Sequence, residues 1–208
     1  MYQGEKLNSI THLVGTVLSL AGLGALLTVS IQHRDPWMIV SFSIFGATLV
    51  LLYSMSTLYH SFSPPHLKKI FQKLDHVSIY LLIAGTYTPY TLVTLRDGRG
   101  PEVLAVVWSL AIIGILLDVL STRRIEILQM LIYLGMGWVC VLDYSNLKVA
   151  LPLPGVVWLI AGGLCYTLGI IFYALDHNKK LQHSHGIWHL FVLAGSVCHF
   201  ISILGYVR

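Results

Sequence analysis

Charged residues divide this chain into long uncharged stretches, and their pattern predicts its elements. Seven such stretches run over 7–33, 36–67, 76–95, 103–117, 127–142, 149–175 and 181–207. A membrane-spanning helix needs about 20 mostly apolar residues. Five stretches reach that length, and the other two reach it only by including Asp118 and Asp143. The pattern therefore predicts seven helical spans, near residues 10–31, 37–59, 76–95, 103–122, 127–146, 153–175 and 186–206.

The composition agrees with a membrane protein and leaves no room for a soluble module. Of 208 residues, 11% are charged and 56% are hydrophobic, and the mean hydropathy is +0.75. Soluble chains carry about 25% charged residues. Seven spans would use about 150 residues, so the loops are too short for a second domain. We expect a single all-α, polytopic membrane domain whose chemistry lies within the spans.

The basic residues predict how the chain is oriented. Eight fall on the side of the amino terminus: Lys6, Lys68, Lys69, Lys73, Arg123, Arg124, Lys179 and Lys180. Five fall on the opposite side: Arg34, Arg96, Arg99, Lys148 and Arg208. Because cytoplasmic loops are enriched in Lys and Arg, this bias predicts a cytoplasmic amino terminus. It also accounts for the net charge of +4 without a nucleic-acid partner.

Ionisable residues at membrane depth are costly and tend to mark function, and here they converge on one side. The second span ends at Ser56 and His60, the third begins at Asp75, and the seventh begins at His185 and His189. Residues four apart lie on one helix face. Three imidazoles, a carboxylate and a hydroxyl are therefore expected near the cytoplasmic interface.

Three neutral imidazoles can hold a catalytic zinc ion and leave a fourth position for water. Asp75 could then act as a general base or orient one ligand, and Ser56 could donate a hydrogen bond to a substrate carbonyl. The alternatives are a hydrogen-bonded polar network or a water-lined cavity, with the Ser56 hydroxyl bonded to the backbone four residues back. The residues alone leave these alternatives open.

Other polar residues carry less weight. His12 and His76 lie near the same interface and could be additional ligands or partners of the ligands, but a histidine at the end of a span is more often an ordinary interfacial residue, and neither is counted among the ligands. His199 lies ten residues after His189, about 15 Å along a helix, and is expected to form a hydrogen bond within the bundle. Asp118 and Asp143 are expected to form structural ion pairs, Asp118 with the arginines that follow the fourth span.

Four segments together resemble a known family. They are Glu5 to His12, the Ser56 and His60 pair, Leu74 to Pro89, and His185 to His189. In this order they resemble the bacterial hemolysin III-type proteins, the prokaryotic branch of the progestin and adipoQ receptor family. The resemblance covers nearly the whole chain.

The resemblance implies a seven-helix bundle with a cytoplasmic amino terminus. Better-understood members and the related alkaline ceramidases hold zinc by three histidines and are thought to hydrolyse lipid amides. Carried over by motif, the zinc ligands are His60, His185 and His189. Asp75 contacts the zinc-bound water, and Ser56 is a nearby polar residue.

Three functions are compatible with this site. The first is a zinc-dependent hydrolase of the bacterial inner membrane that acts on a ceramide-like or other acyl lipid and serves lipid homeostasis. The second is a lytic or pore-forming protein, the activity that gives the hemolysin III-type proteins their name. The third is a non-enzymatic sensor of membrane state with structural zinc. A retinal protein is excluded because residues 181–207 contain no lysine for a Schiff base.

Overall fold

The computed structural model describes residues 4–121, 126–177 and 183–208, and these residues form helices and no strand. The helices are α1 (Lys6–His33), α2 (Pro36–Ser61), α3 (Pro65–Pro89), α4 (Gly100–Leu120), α5 (Glu126–Gly137), α6 (Tyr144–Ala150), α7 (Leu153–His177) and α8 (Ser184–Tyr206). The all-α prediction is confirmed for the described part of the chain.

Six helical segments are long and apolar enough to cross a membrane. They are Lys6–His33, Pro36–Ser61, Gly100–Leu120, Glu126–Ala150, Leu153–Asp176 and Ser184–Tyr206. Many large apolar side chains on these segments are exposed on the outside of the bundle, as expected for a protein surrounded by lipid. The chain is therefore a multi-pass membrane protein.

Helix α3 is not among these six segments, although it has 25 residues. It begins at Pro65, eleven residues before the predicted span of 76–95, and its first turns carry three lysines. The helix then passes Pro89 and continues as a π-helical turn over Tyr90–Thr94. A proline lacks the amide proton that the regular α-helical ladder needs, which explains why the hydrogen-bond pattern changes there.

The predicted span of 127–146 is not one continuous helix. Helix α5 ends at Gly137, a 3₁₀ turn covers Val139–Asp143, and α6 follows. The Tyr87 hydroxyl of α3 donates a hydrogen bond to the Gly137 carbonyl (2.8 Å) and accepts one from the Cys140 amide (3.0 Å). The Tyr87 hydroxyl thus bonds to two backbone groups that would pair within a continuous helix, and it stabilises the break.

The helices that carry the candidate site meet at one end of the bundle. Helix α2 packs between α1 and α3, and α8 packs against α7 and α1. A Cβ at Gly15 of α1 would overlap the ring of Tyr53 on α2, so this glycine permits a close approach of the two helices. The hydroxyls of Ser9 and Ser61 lie 2.6 Å apart. The start of α1 is thereby held against the end of α2.

Candidate metal centre

Three histidines meet where α2 ends and α8 begins. His60 lies in the last turn of α2, and His185 and His189 lie one turn apart at the start of α8. Each offers a ring nitrogen, and these three nitrogens all lie within 4.8 Å of one another. His60 and His189 are fully buried, and His185 is half-buried. The structure thus brings together the three imidazoles that the sequence singled out as ligands.

Two of these histidines are oriented by carboxylates. The Nδ1 atom of His60 lies 2.7 Å from Oε2 of Glu5, and the Nδ1 atom of His185 lies 3.0 Å from Oδ2 of Asp176. A carboxylate is an acceptor only, so each pairing places the ring proton on Nδ1. The Nε2 atom of each ring then carries the lone pair that a metal ion needs.

The third histidine is oriented by the first turns of α1. The Nδ1 atom of His189 lies 3.2 Å from the Asn8 carbonyl oxygen and 3.3 Å from the Thr11 hydroxyl. The Thr11 hydroxyl also donates to the backbone carbonyls of Leu7 and Asn8. The Asn8 carbonyl oxygen and the Thr11 hydroxyl oxygen can both accept the Nδ1 proton of His189, which again leaves the lone pair on Nε2.

The three Nε2 atoms share one property. Each is buried and has no hydrogen-bond partner among the described residues. Buried polar atoms in native proteins nearly always have a partner, and three converging imidazole nitrogens with bonded Nδ1 atoms match the donor set of a metal site. The cluster can therefore hold a metal ion.

Glu5 belongs to a small polar network at the rim of this cluster. Its Oε2 atom accepts a hydrogen bond from the Asn8 side-chain amide (2.8 Å), and its Oε1 atom lies 3.3 Å from the Lys68 ammonium. Burial raises the pKa of the Glu5 carboxyl, but the hydrogen bonds from His60 and Asn8 outweigh burial and hold this pKa well below its usual range. Glu5 is therefore a charged carboxylate facing His60.

Two residues, Ser56 and Asp75, were predicted to act in catalysis, and the acid lies outside the group of clustered ligand atoms. Ser56 is buried on α2, one turn before His60. Asp75 is buried on α3 and lines a cavity inside the bundle. Their catalytic roles stay predictions.

The cavity has a volume of about 410 Å³ and is mostly apolar. Ligand pockets range from about 300 to 1,000 Å³. It reaches His12, Asp75 and His76 at one end, and its wall includes Leu82 and Val192. An acyl chain matches this apolar wall better than a polar ligand does.

The favoured expectation that His12 is an ordinary interfacial residue is wrong, and the alternative of a partner of the ligands fits its position. His12 is only 3% exposed, and its ring stacks on that of His189 at 3.6 Å between centroids and 11° between planes. His12 thus contacts one of the clustered histidines with its ring and also lines the cavity. His76 is half-buried and lines the cavity, and its backbone carbonyl accepts a hydrogen bond from Tyr133 (3.2 Å).

Two other expectations are corrected. The Nδ1 atom of His199 is buried without a hydrogen-bond partner, although a bond was expected there. Asp143 accepts a hydrogen bond from the Asn146 side chain (2.7 Å), and among the described residues it pairs with no base. Asp143 directly precedes α6, and Asn146 lies in the first turn of that helix, close enough for its side-chain amide to reach the carboxylate. The predicted partners of Asp118, Arg123 and Arg124, lie outside the described residues.

Comparison with known proteins establishes the family. Residues 1–200 match the family model described as "Haemolysin-III related". The chain belongs to this family. It is 42% identical over 203 residues to "Hemolysin-3" of Bacillus cereus, which covers 98% of this chain and 91% of that protein. It is 41% identical over 202 residues to the "Hemolysin-3 homolog" of Bacillus subtilis (strain 168), with coverages of 97% and 93%.

A more distant relative shows how widely the haemolysin-III related pattern extends. The human "Monocyte to macrophage differentiation factor" is 27% identical over 205 residues, which covers 96% of this chain and 83% of that protein. The similarity again extends over nearly the whole chain. The family resemblance predicted from the four sequence segments is confirmed.

The orienting residues of this family member were missed by sequence reasoning. Glu5 was noted only as the first residue of a family segment, and Asp176 was not singled out. A signal was nevertheless present, since both are single acids at the ends of apolar stretches, on the side where the histidines were expected. Metal-ligating histidines usually donate their second N–H to such an acceptor.

Replacing Glu5 with glutamine is expected to weaken zinc affinity about 10- to 100-fold, the usual cost of losing a partner that orients a ligand. Competition with a chromogenic zinc chelator measures this change in purified protein. The matched control is Glu102→Gln, because Glu102 is an exposed acid that pairs with Arg99 in the first turn of α4. Equal zinc affinities for the two variants would show that Glu5 does not support the site.

Proposed function

We propose that this protein is a zinc-dependent hydrolase of the bacterial inner membrane that cleaves the amide bond of a ceramide-like or other acyl lipid. The observation that carries the proposal is the convergence of three buried Nε2 atoms without partners, next to an apolar cavity. Such a hydrolase would serve membrane lipid homeostasis.

Zinc is the metal that this donor set suits best. Three neutral imidazoles are a common ligand set for catalytic zinc and leave one position open. His60, His185 and His189 would hold the ion through Nε2. When bound, zinc supplies Lewis acidity and lowers the pKa of water to about 7.

The residues of the chain would divide the remaining work. The Asp75 carboxylate, buried at the wall of the cavity, would take up the proton of the attacking water as a general base. The Ser56 hydroxyl, one turn from His60, would donate a hydrogen bond to the scissile carbonyl. His12, which stacks on His189 and lines the cavity, would bound the space for the lipid headgroup.

The apolar cavity supports an acyl substrate. Its wall would bury the hydrocarbon chain, and burial of apolar surface contributes about 25 cal/mol per Å². The acyl carbonyl would lie at the end that His12 and Asp75 line. A substrate of this kind would reach the site from the bilayer, between helices.

The proposed topology has seven spans with a cytoplasmic amino terminus. It counts α3 as a span because Pro65–Pro89 is long enough and packs beside α2 and α4. The excess of eight bases over five on the amino-terminal side favours this orientation. Four of those eight, Arg123, Arg124, Lys179 and Lys180, lie outside the described residues. The metal centre would then face the cytoplasmic leaflet.

Cysteine labelling tests the orientation. A cysteine replacing Lys69, which is exposed at the start of α3, is expected to react with a membrane-impermeant maleimide only after the cells are opened. A cysteine replacing Arg99, exposed before α4, is expected to react in intact cells. The wild-type protein has three half-buried native cysteines, and it is the control for background labelling of these residues. The reverse pattern would invert the topology.

The hydrolase activity is tested by fatty acid release. Wild-type protein with measured zinc content is incubated with a panel of ceramides and other acyl lipids, and free fatty acid is quantified against a protein-free control. Release from at least one amide-linked lipid is expected. If fully zinc-loaded protein releases none, the hydrolase proposal fails, and zinc would be assigned a structural role in a sensor.

A lytic function is the second candidate, because the two Bacillus relatives are named Hemolysin-3 and Hemolysin-3 homolog. A pore would conduct ions in planar bilayers, and it would do so without the histidine cluster. Conductance that persists in the His60→Ala variant would favour the lytic function over the hydrolase.

A further inference from the structure

The cavity has a second polar region, away from the metal cluster. Its wall there includes His199 of α8, Tyr166 of α7, Tyr90 of the π-helical turn and Asp143 of the 3₁₀ turn. The Oδ2 atom of Asp143, like the Nδ1 atom of His199, is buried without a hydrogen-bond partner. An otherwise apolar cavity thus has unsatisfied polar groups far from its proposed reaction centre.

His199 is the group most clearly built for a ligand. Its side chain is only 6% exposed and lines the cavity. Helix α7 makes room for the ring at Gly162, where a Cβ would lie 2.7 Å from Nε2 of His199. The Nε2 edge therefore faces the backbone of α7, and the Nδ1 atom has no partner in the part of the chain that the structure describes.

Three hydroxyls near His199 are already engaged with one another. Ser196 accepts a hydrogen bond from Tyr53 (2.7 Å), and its hydroxyl lies 2.8 Å from that of Tyr166. The ring of Tyr166 lies 5.3 Å from that of His199. This network satisfies three hydroxyls and leaves His199 out. Because buried polar atoms in native proteins are nearly always paired, a ligand or a water molecule is expected at His199.

The position of His199 sets the distance between the metal cluster and the second polar region of the cavity. His199 lies ten residues after His189 on α8, a rise of about 15 Å. His12 stacks on His189 and lines the same cavity as His199, so the cavity extends from the metal cluster to this second region. An extended acyl chain of roughly a dozen carbons is about as long as this rise of 15 Å.

We propose that His199 forms a subsite for a hydroxyl group on the acyl chain, about a dozen carbons from the lipid headgroup. The inference rests on the proposed function in one respect, namely that an acyl chain occupies the cavity. A hydroxyl fits because it both donates and accepts, and so can pair with either tautomer of the imidazole. The protein would thereby select mid-chain hydroxylated lipids over plain ones.

Equilibrium binding of fatty acids tests the subsite without relying on turnover. The full-length, zinc-loaded protein in nanodiscs is titrated with stearic acid, 12-hydroxystearic acid and 2-hydroxystearic acid. The wild type is expected to bind the 12-hydroxy acid about three- to tenfold more tightly than the other two, the contribution of one hydrogen bond. His199→Phe is expected to abolish this preference and to retain stearate binding. The control is His33→Phe, an exposed histidine at the end of α1.

The outcomes separate the subsite from the hydrolase. If the wild type binds all three acids equally, His199 contacts only water and the subsite is wrong, whatever the enzyme does. A preference that survives in His199→Phe would also overturn it. If no acid binds, both the subsite and the acyl-lipid function fail. A 12-hydroxyl preference without any fatty acid release would support the subsite and contradict the hydrolase.

Discussion

Replacing His189 with alanine is expected to reduce bound zinc from about one ion per chain to less than about 0.2. His189 is fully buried, and its Nε2 atom is one of three converging nitrogens. Two imidazoles would remain, too few to retain zinc through purification. Elemental analysis of detergent-purified protein, normalised to protein concentration, measures the loss.

The matched control for this loss is His199→Ala. His199 is also buried on α8, but it lies outside the cluster, so this variant is expected to keep its zinc. A thermal unfolding curve for each variant shows whether the helix bundle remains intact. Full zinc occupancy in folded His189→Ala would contradict the ligand assignment. Equal loss in both variants would indicate that α8 as a whole, and not His189, is required.

The second large effect is expected from Asp75→Asn. This variant should keep its zinc, and its rate of lipid amide hydrolysis should fall by roughly a hundred- to ten-thousandfold. The carboxylate can take up the proton of the attacking water, whereas the amide of similar shape cannot. Asp75 is not one of the clustered ligands, so metal content should be unaffected. Initial rates of fatty acid release, divided by zinc content, measure the effect.

Asp97→Asn is the control for this substitution, because Asp97 is a highly exposed acid in the connection before α4. It is expected to hydrolyse lipid at the wild-type rate. If Asp75→Asn and the wild type release fatty acid equally, Asp75 is not the base. If Asp75→Asn loses zinc as well as activity, Asp75 supports the metal site and its catalytic role is not established.

The helical architecture could be predicted because lipid imposes a simple pattern. A membrane-spanning segment must be mostly apolar, so charged residues mark the ends of the helices. The break within the predicted span of 127–146 could not be predicted in this way. It depends on Tyr87, a residue about 50 positions earlier, whose hydroxyl bonds to Gly137 and Cys140. Hydropathy does not record such a tertiary contact.

The histidine cluster could be predicted because helical periodicity places His185 and His189 on one face. The segments at the ends of α1 and α7 are less regular, and their contacts depend on how the helices pack. Sequence spacing therefore did not reveal that Glu5, before α1, reaches His60, or that Asp176, near the end of α7, reaches His185. His12 was misassigned for a related reason. A histidine near a helix end has the same local sequence whether it faces water or stacks on another ring.

The metal content of the wild-type protein decides whether this member of the haemolysin-III related family holds zinc at its three-histidine centre. Wild-type protein is purified without chelators and analysed for all transition metals. About one zinc per chain is the predicted result, because a three-histidine site should retain its metal through mild handling. Less than about 0.2 equivalents of any transition metal would contradict it.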